Sequence, residues 1–342
     1  MREVYRILDA NFNRAREALR VAEDCGRFAL NDPAITAMAK NLRSDLAEIL
    51  QVMPAAEFLV SRDTPGDIGT EISSPTETKR GGLADVVTAA CKRLTEALRT
   101  IEEYGKLVAP EKVLQIERMR YNGYTLEQRV VGRLMVARRL AEGKLYVLVS
   151  THLCAGSLRE TARAAIAGGA DVIQLRDKKT PDDELLASAA EMRELTDETG
   201  RIFIMNDRPD IAAIVGADGV HLGQHDLPIA ETRRLLRPGA VVGRSTHSLV
   251  QARAAVNEGA DYISVGPIFE TDTKDAGPVV GIDLLKEVAE TVGLPIVAIG
   301  GITADTAASV MEAGASLVAV CSTVCGSKDT RAAAAAVRQQ LD

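Results

Sequence analysis

The chain has 342 residues, of which 46% are apolar and 26% charged, a composition typical of globular proteins with one or two domains. Its formal net charge of −7 argues against general nucleic-acid binding, because a phosphate backbone requires a basic protein face. The chain has neither a membrane-spanning apolar run nor a signal-peptide core, and its five cysteines form no CxxC pair. We therefore expect a cytoplasmic protein with reduced thiols that acts on small molecules, without a nucleic-acid or membrane partner.

Residues 1–125 have the pattern of a helical domain. Apolar residues recur at three- and four-residue spacing in 4–30 and again in 83–107, as they do on one face of a helix. The intervening residues 61–82 are rich in Gly, Pro, Ser and Asp, which is typical of a turn-rich connection. A further helical stretch at 126–142 is interpreted as a linker.

Two segments of this first domain are similar to each other. RAREALRVAEDCGR (14–27) and RLTEALRTIEEYGK (93–106) align without gaps, which predicts an all-α bundle with internal pseudo-two-fold symmetry. Charged residues spaced by three share one helix face in each copy. They are Glu17, Arg20 and Glu23 in the first copy and Glu96, Arg99 and Glu102 in the second. Two interpretations stay open: exposed ion-paired stripes, or one polar site on which both stripes converge.

From residue 143 to residue 342, short β-rich runs alternate with helical segments. The predicted strands are 145–150, 171–176, 201–207, 219–223, 241–246, 262–267, 295–301 and 317–322. Most are continuous apolar runs, as in a parallel sheet covered on both faces. Eight such units match a (β/α)8 TIM barrel, whereas a doubly wound sheet usually has fewer strands. The predicted fold class is therefore α/β, a TIM barrel preceded by an all-α domain.

Polar residues follow nearly every predicted strand, and a TIM barrel collects its chemistry at these carboxyl ends. Arg176, Lys178 and Lys274 are three cations, enough to hold a diphosphate. Asp207 and Asp226 follow neighbouring strands and suit Mg²⁺, which takes one or two protein carboxylates together with phosphate oxygens. Helix N-capping is the alternative role for both carboxylates, since a proline follows each within two residues.

A glycine pair, Gly300 and Gly301, follows the seventh predicted strand and precedes a helix that begins near Thr303. Backbone amides at such a position can approach an anion at the helix N-terminus. The loops after strands seven and eight form the usual phosphate site of this fold. Together with the three cations, the pair predicts that the site binds two anionic groups.

Five fragments at these strand ends resemble thiamine phosphate synthase, in the order expected for that family. They are QLRDK (174–178), NDRPDIAAIVGADGVHLGQHDLP (206–228), STHS (245–248), DYISVGPIFETDTK (261–274) and PIVAIGGI (295–302). The resemblance implies a transferase that joins hydroxymethylpyrimidine diphosphate to thiazole phosphate, giving thiamine phosphate and diphosphate.

The resemblance also implies a role for each site residue. The pyrimidine diphosphate pocket would comprise Gln174, Arg176, Lys178, Asn206, Ser245 and Lys274. Within it, Arg176, Lys178, Lys274 and Ser245 would act on the departing diphosphate. Asp207 and Asp226 would bind Mg²⁺, and the thiazole phosphate would contact Thr271, Thr273, Gly301 and Ser322. Catalysis would then be mainly electrostatic, because cations stabilise the charge that develops on the leaving group.

The N-terminal domain resembles a domain found fused to thiamine phosphate synthases and linked to hydroxymethylpyrimidine phosphate kinase activity. ILDANFNRAREALRVAEDCGRF (7–28), SRDTPGDIGT (61–70) and KRLTEALRTIEEYGKL (92–107) carry this likeness. A P-loop mechanism is excluded, because the sequence has no GxxxxGK[ST] motif. The sequence does not locate an ATP site; the candidate residues are Arg62, Asp63 and Asp67 in the turn-rich segment, with Arg14, Arg20 and the repeated face that contains Arg99.

Two alternatives remain at this stage. The barrel could belong to a thiazole tautomerase, which shares the phosphate site but does not need the residues that grip a diphosphate. The helical domain could be a non-catalytic module that pairs two copies of the chain in a homo-oligomer.

Overall fold

The structure is a computed structural model and describes residues 1–71, 79–271 and 277–341. The predicted site residues Thr273 and Lys274 lie outside the described residues. The chain forms two compact units, Met1–Leu134 and Met135–Asp342. Within the described residues, no helix combines the length and apolar character needed to cross a membrane.

The first unit is helical, as predicted. Its helices are α1 (Arg2–Asp24), α2 (Pro33–Val52), α3 (Ala55–Ser61), α4 (Leu83–Gly105) and α5 (Val113–Glu142). The predicted linker, 126–142, forms the second half of α5, and the boundary between the two units falls inside this helix. Leu126 and Val130 are fully buried in the core of the first unit.

The two similar segments form the ends of α1 and α4, which pack against each other. In α1, Leu8, Phe12, Ala15 and Leu19 are buried at three- and four-residue spacing. One apolar stripe therefore faces the core along the helix. α1 is followed by a π-helical turn, Cys25–Ala29, so the regular α-helix ends earlier than the predicted 4–30.

The second unit is a closed barrel of eight parallel strands, which confirms the predicted fold class. The strands are β1 (Leu145–Val149), β2 (Val172–Leu175), β3 (Ile202–Asn206), β4 (Gly219–Leu222), β5 (Val241–Thr246), β6 (Tyr262–Val265), β7 (Ile296–Ile299) and β8 (Leu317–Val320). The helices are α6 (Leu158–Ala167), α7 (Asp182–Thr199), α8 (Pro209–Val215), α9 (Ile229–Leu235), α10 (Leu249–Asn257), α11 (Gly281–Thr291), α12 (Ala304–Glu312), α13 (Ser322–Cys325) and α14 (Thr330–Arg338).

Closure of the sheet gives the second unit two apolar layers. Residues such as Tyr146, Ile204 and Tyr262 belong to the cluster inside the barrel. Their strand neighbours, such as Val147 and Ile263, pack in the cluster between the sheet and the helices. Because side chains alternate across a strand, each apolar run supplies both layers.

Every predicted strand exists, and its ends agree with the structure within two residues. The residues predicted as strand but observed as loop lie mostly at the carboxyl ends, including Arg176, Asp207 and Gly301. There the chain leaves the hydrogen-bonded sheet and presents polar side chains at the mouth of the barrel. The predicted site residues therefore lie at or just beyond the carboxyl ends of the hydrogen-bonded strands.

Candidate active site

One cavity lies at the carboxyl ends of the barrel strands. The predicted site residues that line it are Gln174, Arg176, Asn206, Ser245, Thr271, Gly301 and Ser322. These residues come from the ends of β2, β3 and β5 and from the loops after β6, β7 and β8. The structure therefore brings together seven of the ten residues predicted to bind substrate. Of the other three, Lys178 lies beside Asp207, and Thr273 and Lys274 are outside the described residues.

A chain of hydrogen bonds crosses the floor of the cavity and joins two of the predicted residues. Gln174 Nε2 donates to Tyr146 Oη at 2.7 Å, and Tyr146 Oη lies 3.3 Å from Tyr262 Oη. Tyr262 Oη is 3.1 Å from His221 Nδ1, and His221 Nε2 is 3.0 Å from Ser245 Oγ. The Gln174 amide and the Ser245 hydroxyl are thus oriented by one buried network.

The members of this network are uncharged at neutral pH. Burial lowers the pKa of His221 to about 4, so its imidazole is neutral. Burial likewise raises the pKa of Tyr146 and Tyr262 above that of a free tyrosine. A neutral imidazole has one nitrogen that donates and one that accepts, which suits a network of hydroxyls.

Gly243 makes room for this network. Its position on β5 pairs with His221 on β4 and with Tyr262 on β6. A Cβ atom at Gly243 would lie 2.2 Å from Tyr262 Cζ and 2.6 Å from His221 Nδ1. Only a residue without a side chain lets the two rings meet at this level of the barrel.

Four further residues line the cavity and were not predicted from the sequence: His221, Tyr146, Tyr262 and Ser264. A signal for them was present in the strands. His221 in β4, and Tyr262 and Ser264 in β6, have only apolar neighbours within the strand, which indicates side chains that face the barrel interior. Ser264 Oγ lies 3.2 Å from His221 Nε2, so it shares the nitrogen that contacts Ser245.

Asp207 and Asp226 lie side by side, together with one cation. Lys178 Nζ is 3.1 Å from Asp207 Oδ2. Burial and the neighbouring Asp207 carboxyl raise the pKa of Asp226, whose Oδ2 also accepts a hydrogen bond from the Gly223 amide at 2.6 Å. Asp207 has a φ of 59°, a left-handed conformation that non-glycine residues seldom adopt. Such strain is typical of functional positions.

Neither carboxylate caps the helix that follows it. The N-cap residue of α8 is Arg208 and that of α9 is Pro228, so neither aspartate occupies the capping position. Neither helix has a side-chain hydrogen bond at its N-cap. Two adjacent carboxylates, of which Asp226 has a raised pKa, fit a divalent cation, which prefers oxygen ligands. Within residues 1–71, 79–271 and 277–341 no group of three or more His, Cys, Asp or Glu is arranged for a metal.

The glycine pair after β7 adopts the backbone conformation that only glycine accepts readily. Gly300 has a φ of 101° and Gly301 a φ of 65°. A Cβ atom at Gly301 would lie 2.3 Å from the Glu270 carbonyl oxygen. Thr323 Oγ1 donates to the Ile302 carbonyl at 3.1 Å and so joins α13 to this loop. The loops after β7 and β8 thus form one wall of the cavity.

Comparisons with known proteins find matches over most of the chain. A family model described as thiamine monophosphate synthase matches residues 145–324. A thiamine-phosphate synthase from Nostoc sp. is 43% identical over 319 residues, covering 93% of this chain and 88% of the relative. This chain belongs to the thiamine-phosphate synthase family. The synthase from Synechocystis sp. is 39% identical over 338 residues, covering 99% of this chain and 96% of that relative.

Two further comparisons match different parts of the chain. A solved thiamine phosphate pyrophosphorylase from Pyrococcus furiosus has 37% sequence identity and a TM-score of 0.55, covering 60% of this chain and 97% of that one. A second family model, the ThiD2 family, matches residues 6–129. The full-length synthase relatives therefore share both halves, whereas the solved synthase corresponds to little more than half of this chain.

The repeated charged face of the first unit contains two buried carboxylates, one in each copy. Glu23 is 1% exposed and lies 3.1 Å from Arg43 and 3.8 Å from Arg20. Glu102 is 4% exposed, and Arg99 and Arg120 donate to it at 2.5 and 2.8 Å. In both copies, one arginine comes from the same helix and one from the next long helix. The duplication therefore extends to the ion pairs.

The remaining candidates of the first unit lie on its surface or in local turns. Arg62 forms a bidentate pair with Asp9, with both distances 2.7 Å. Asp63 accepts a hydrogen bond from the Gly66 amide at 3.0 Å, and Asp67 accepts one from the Gly69 amide at 2.9 Å. The remaining two, which are both exposed, are Arg14 and Glu17.

Proposed function

We propose that the barrel joins hydroxymethylpyrimidine diphosphate to thiazole phosphate by a dissociative substitution, which releases diphosphate and forms thiamine phosphate. The observation that carries this proposal is the shared cavity. Gln174, Arg176 and Ser245 come from the ends of β2 and β5, Gly301 and Ser322 follow β7 and β8, and all five line the same cavity. Donors from these separate strand ends could bind two anionic groups, which would suit two phosphorylated substrates that react face to face.

The pyrimidine end of the reaction would use the uncharged network. Gln174 and Asn206 offer amide groups to the ring, and both are buried at less than one-tenth exposure. His221 holds the Ser245 hydroxyl at 3.0 Å, so the hydroxyl is oriented before the substrate arrives. Preorganised dipoles of this kind stabilise developing charge without having to reorient during the reaction.

The diphosphate would leave toward the cations. Arg176 faces the cavity, and Lys178 is held 3.1 Å from Asp207 at its edge. Asp207 and Asp226 would bind Mg²⁺, which supplies positive charge to the departing diphosphate. Lys274 would complete the set, and it lies outside the described residues. No protein nucleophile is required, because the thiazole nitrogen itself attacks the pyrimidine methylene carbon.

The thiazole phosphate would bind where the loops after β6, β7 and β8 meet. Thr271, Gly301 and Ser322 line this part of the cavity, and Thr273 is the corresponding candidate outside the described residues. Backbone amides near Gly301 and the hydroxyl of Ser322 are donors suited to a phosphate.

The test measures diphosphate release from the full chain with both substrates and Mg²⁺. We expect release only when both substrates are present, and a loss of at least about tenfold in Arg176→Gln, since hydrogen bonds to charged groups contribute about 1.5–3 kcal/mol. Arg234→Gln is the matched control, because Arg234 is exposed and pairs with Glu231 on α9. Absence of diphosphate release would favour a tautomerase.

We infer that the first unit phosphorylates hydroxymethylpyrimidine phosphate with ATP, which would supply the diphosphate substrate of the barrel. The match of residues 6–129 to the ThiD2 family supports this second activity. The assay uses the Arg176→Gln protein, because its barrel should consume little of the kinase product. The protein is supplied with pyrimidine monophosphate and ATP, and the formation of ADP and pyrimidine diphosphate is measured. If ATP is left intact, the first unit is better explained as an oligomerisation module. Sedimentation of the same sample would then detect the oligomer.

A further inference from the structure

One buried arginine lies next to the turn that carries Asp226. Arg244, on β5, is 7% exposed. The next residue, Ser245, lines the cavity, so Arg244 lies on the opposite face of the strand, toward the helices. The layer between the sheet and the helices contains the main apolar cluster of the barrel, and a guanidinium there needs polar partners of its own.

Arg244 has a backbone partner and a side-chain partner. Its Nη1 donates to the Gly223 carbonyl oxygen at 2.7 Å, and its Nη2 donates to Glu258 Oε2 at 3.0 Å. A guanidinium has several donors in a fixed plane, so it can bind both oxygens at once. Glu258, which follows α10, therefore orients the guanidinium while Nη1 contacts Gly223.

Gly223 in turn orients the Asp226 carboxylate. The Gly223 amide donates to Asp226 Oδ2 at 2.6 Å, and the Gly223 carbonyl oxygen accepts from the Asp226 amide at 3.4 Å. The oxygen that Arg244 contacts is thus the one that closes the turn from Gly223 to Asp226. The paired register of β4 with β5 ends at Leu222, opposite Arg244, so the turn begins where strand pairing stops.

A purely stabilising role accounts poorly for this arginine. Removing a guanidinium from water costs free energy, and replacing a buried ion pair by apolar residues of similar volume is often neutral or stabilising. The Glu258 side chain is 49% exposed, so solvent can stabilise its charge without Arg244. An apolar residue at this position could not bind the Gly223 carbonyl.

We propose that Arg244 is a positioning residue, which binds the Gly223 carbonyl and thereby keeps the Asp226 carboxylate in place for Mg²⁺. The role of the ion rests on the proposed function of the barrel, whereas the contact with the turn does not. Arg244 is not one of the described residues that line the cavity. Its loss should therefore weaken ion binding and leave the fit of both substrates unchanged.

The first test measures ion binding directly, from the electron paramagnetic resonance signal of free Mn²⁺. The full chain is titrated with Mn²⁺, which suits the same oxygen ligands as Mg²⁺, in the presence of inorganic diphosphate. A titration without protein gives the contribution of diphosphate alone. We expect Arg244→Met to raise the Mn²⁺ Kd by about tenfold, because the loss of an outer-shell partner weakens metal binding by about 10–100-fold. Asp226→Asn is the reference and should weaken binding at least as much.

Arg237→Met is the matched control for the loss of an arginine. Arg237 donates to the Ala217 carbonyl oxygen at 2.9 Å and to Asp218 Oδ1 at 2.8 Å, just before β4 begins. The substitution removes the same two kinds of contact at the other end of that strand, and Asp218 keeps Arg193 at 3.0 Å. The Mn²⁺ Kd should stay within about twofold, as for independent sites. Equal weakening in both arginine variants, or none in Arg244→Met, would overturn the proposal.

The second test follows the turn itself by hydrogen exchange and mass spectrometry, without ion or substrate. Amides of residues 223–228 should exchange about tenfold faster in Arg244→Met, as for the loss of one hydrogen bond to a charged group. Glu258→Gln keeps the contact between Arg244 and Gly223, and its exchange should change by less than about twofold because the lost ion pair is half exposed. Unchanged exchange in Arg244→Met would show that Arg244 does not fix the turn.

Kinetics separate this proposal from the proposed function. In Arg244→Met the Mg²⁺ concentration for half-maximal diphosphate release should rise about tenfold, whereas both substrate KM values at saturating Mg²⁺ should stay within about twofold. A higher KM at saturating Mg²⁺ would assign Arg244 to substrate binding and overturn the proposal. If Asp226→Asn binds Mn²⁺ as tightly as the unsubstituted protein, the proposed metal ligand is wrong, and hydrogen exchange still decides whether Arg244 fixes the turn.

Discussion

Gly243 offers a direct test of the buried network, because the structure gives the size of the perturbation. In Gly243→Ala the new Cβ atom would lie 2.2 Å from Tyr262 Cζ, whereas carbon atoms pack at about 3.5–4.0 Å. The Tyr262 ring would therefore have to move by more than about 1 Å, inside a barrel where it is fully buried. Overpacking of this kind costs about 1–3 kcal/mol of folding free energy.

The same movement would disturb the site. Tyr262 Oη is 3.1 Å from His221 Nδ1, and His221 Nε2 is 3.0 Å from Ser245 Oγ, so displacement of the ring releases the Ser245 hydroxyl. We expect the melting temperature to fall by about 2–12 °C, because each kcal/mol of destabilisation lowers it by about 2–4 °C in a domain of this size. We also expect lower kcat/KM in the diphosphate-release assay.

A matched glycine separates sterics from the loss of glycine itself. A Cβ atom at Gly293, in the loop before β7, would have no heavy atom within 4 Å, so Gly293→Ala should change stability by less than about 0.5 kcal/mol. Thermal melts and urea titrations of both variants give the comparison. A Gly243→Ala protein that melts within about 1 °C of the unsubstituted protein would show that the rings do not need this space.

Three further predictions address charge. The folded pKa of His221 is about 4 against 6.5 for the unfolded chain, so below pH 6.5 only the unfolded state takes up this proton. Stability should therefore fall toward pH 4 by up to about 3 kcal/mol, and urea titrations of His221→Gln should lack this component. Asp226→Asn should raise the Mg²⁺ concentration needed for half-maximal diphosphate release by at least about tenfold, because the loss of even an outer-shell partner of a metal site weakens metal binding by about 10–100-fold. An unchanged Mg²⁺ dependence would argue against Asp226 as a ligand. Glu102→Leu leaves the Arg120 charge without its buried partner and should lower the free energy of unfolding by about 3–5 kcal/mol in chemical unfolding. Glu96 is exposed, so Glu96→Ala should lower it by less than about 0.5 kcal/mol. Similar losses in both variants would refute a special role for burial.

The cation arrangement shows how far strand-end reasoning reaches. The sequence placed Arg176 and Lys178 after one strand and Asp207 after the next, and the structure places all three at the same end of the barrel. It did not predict that Lys178 pairs with Asp207 at 3.1 Å, because that contact depends on side-chain conformations in two separate loops.

The N-terminal unit illustrates a different limit. The repeat predicted two related helices, and both are present as α1 and α4. Whether the charged faces were solvated or buried could not be read from spacing alone, because burial depends on which helix packs over them. Glu23 is buried beside Arg43 from α2, and Glu102 beside Arg120 from α5, neither of which belongs to the aligned segments.

By itself, the sequence determined the order of eight strands, the closed parallel barrel and the end at which polar residues gather. These follow from local patterns, since alternation and apolar runs depend on near neighbours in the chain. Only the tertiary structure decided that His221, Tyr262 and Gly243 meet inside the barrel. These contacts join residues from separate strands, and they depend on the register between those strands, which no local pattern encodes.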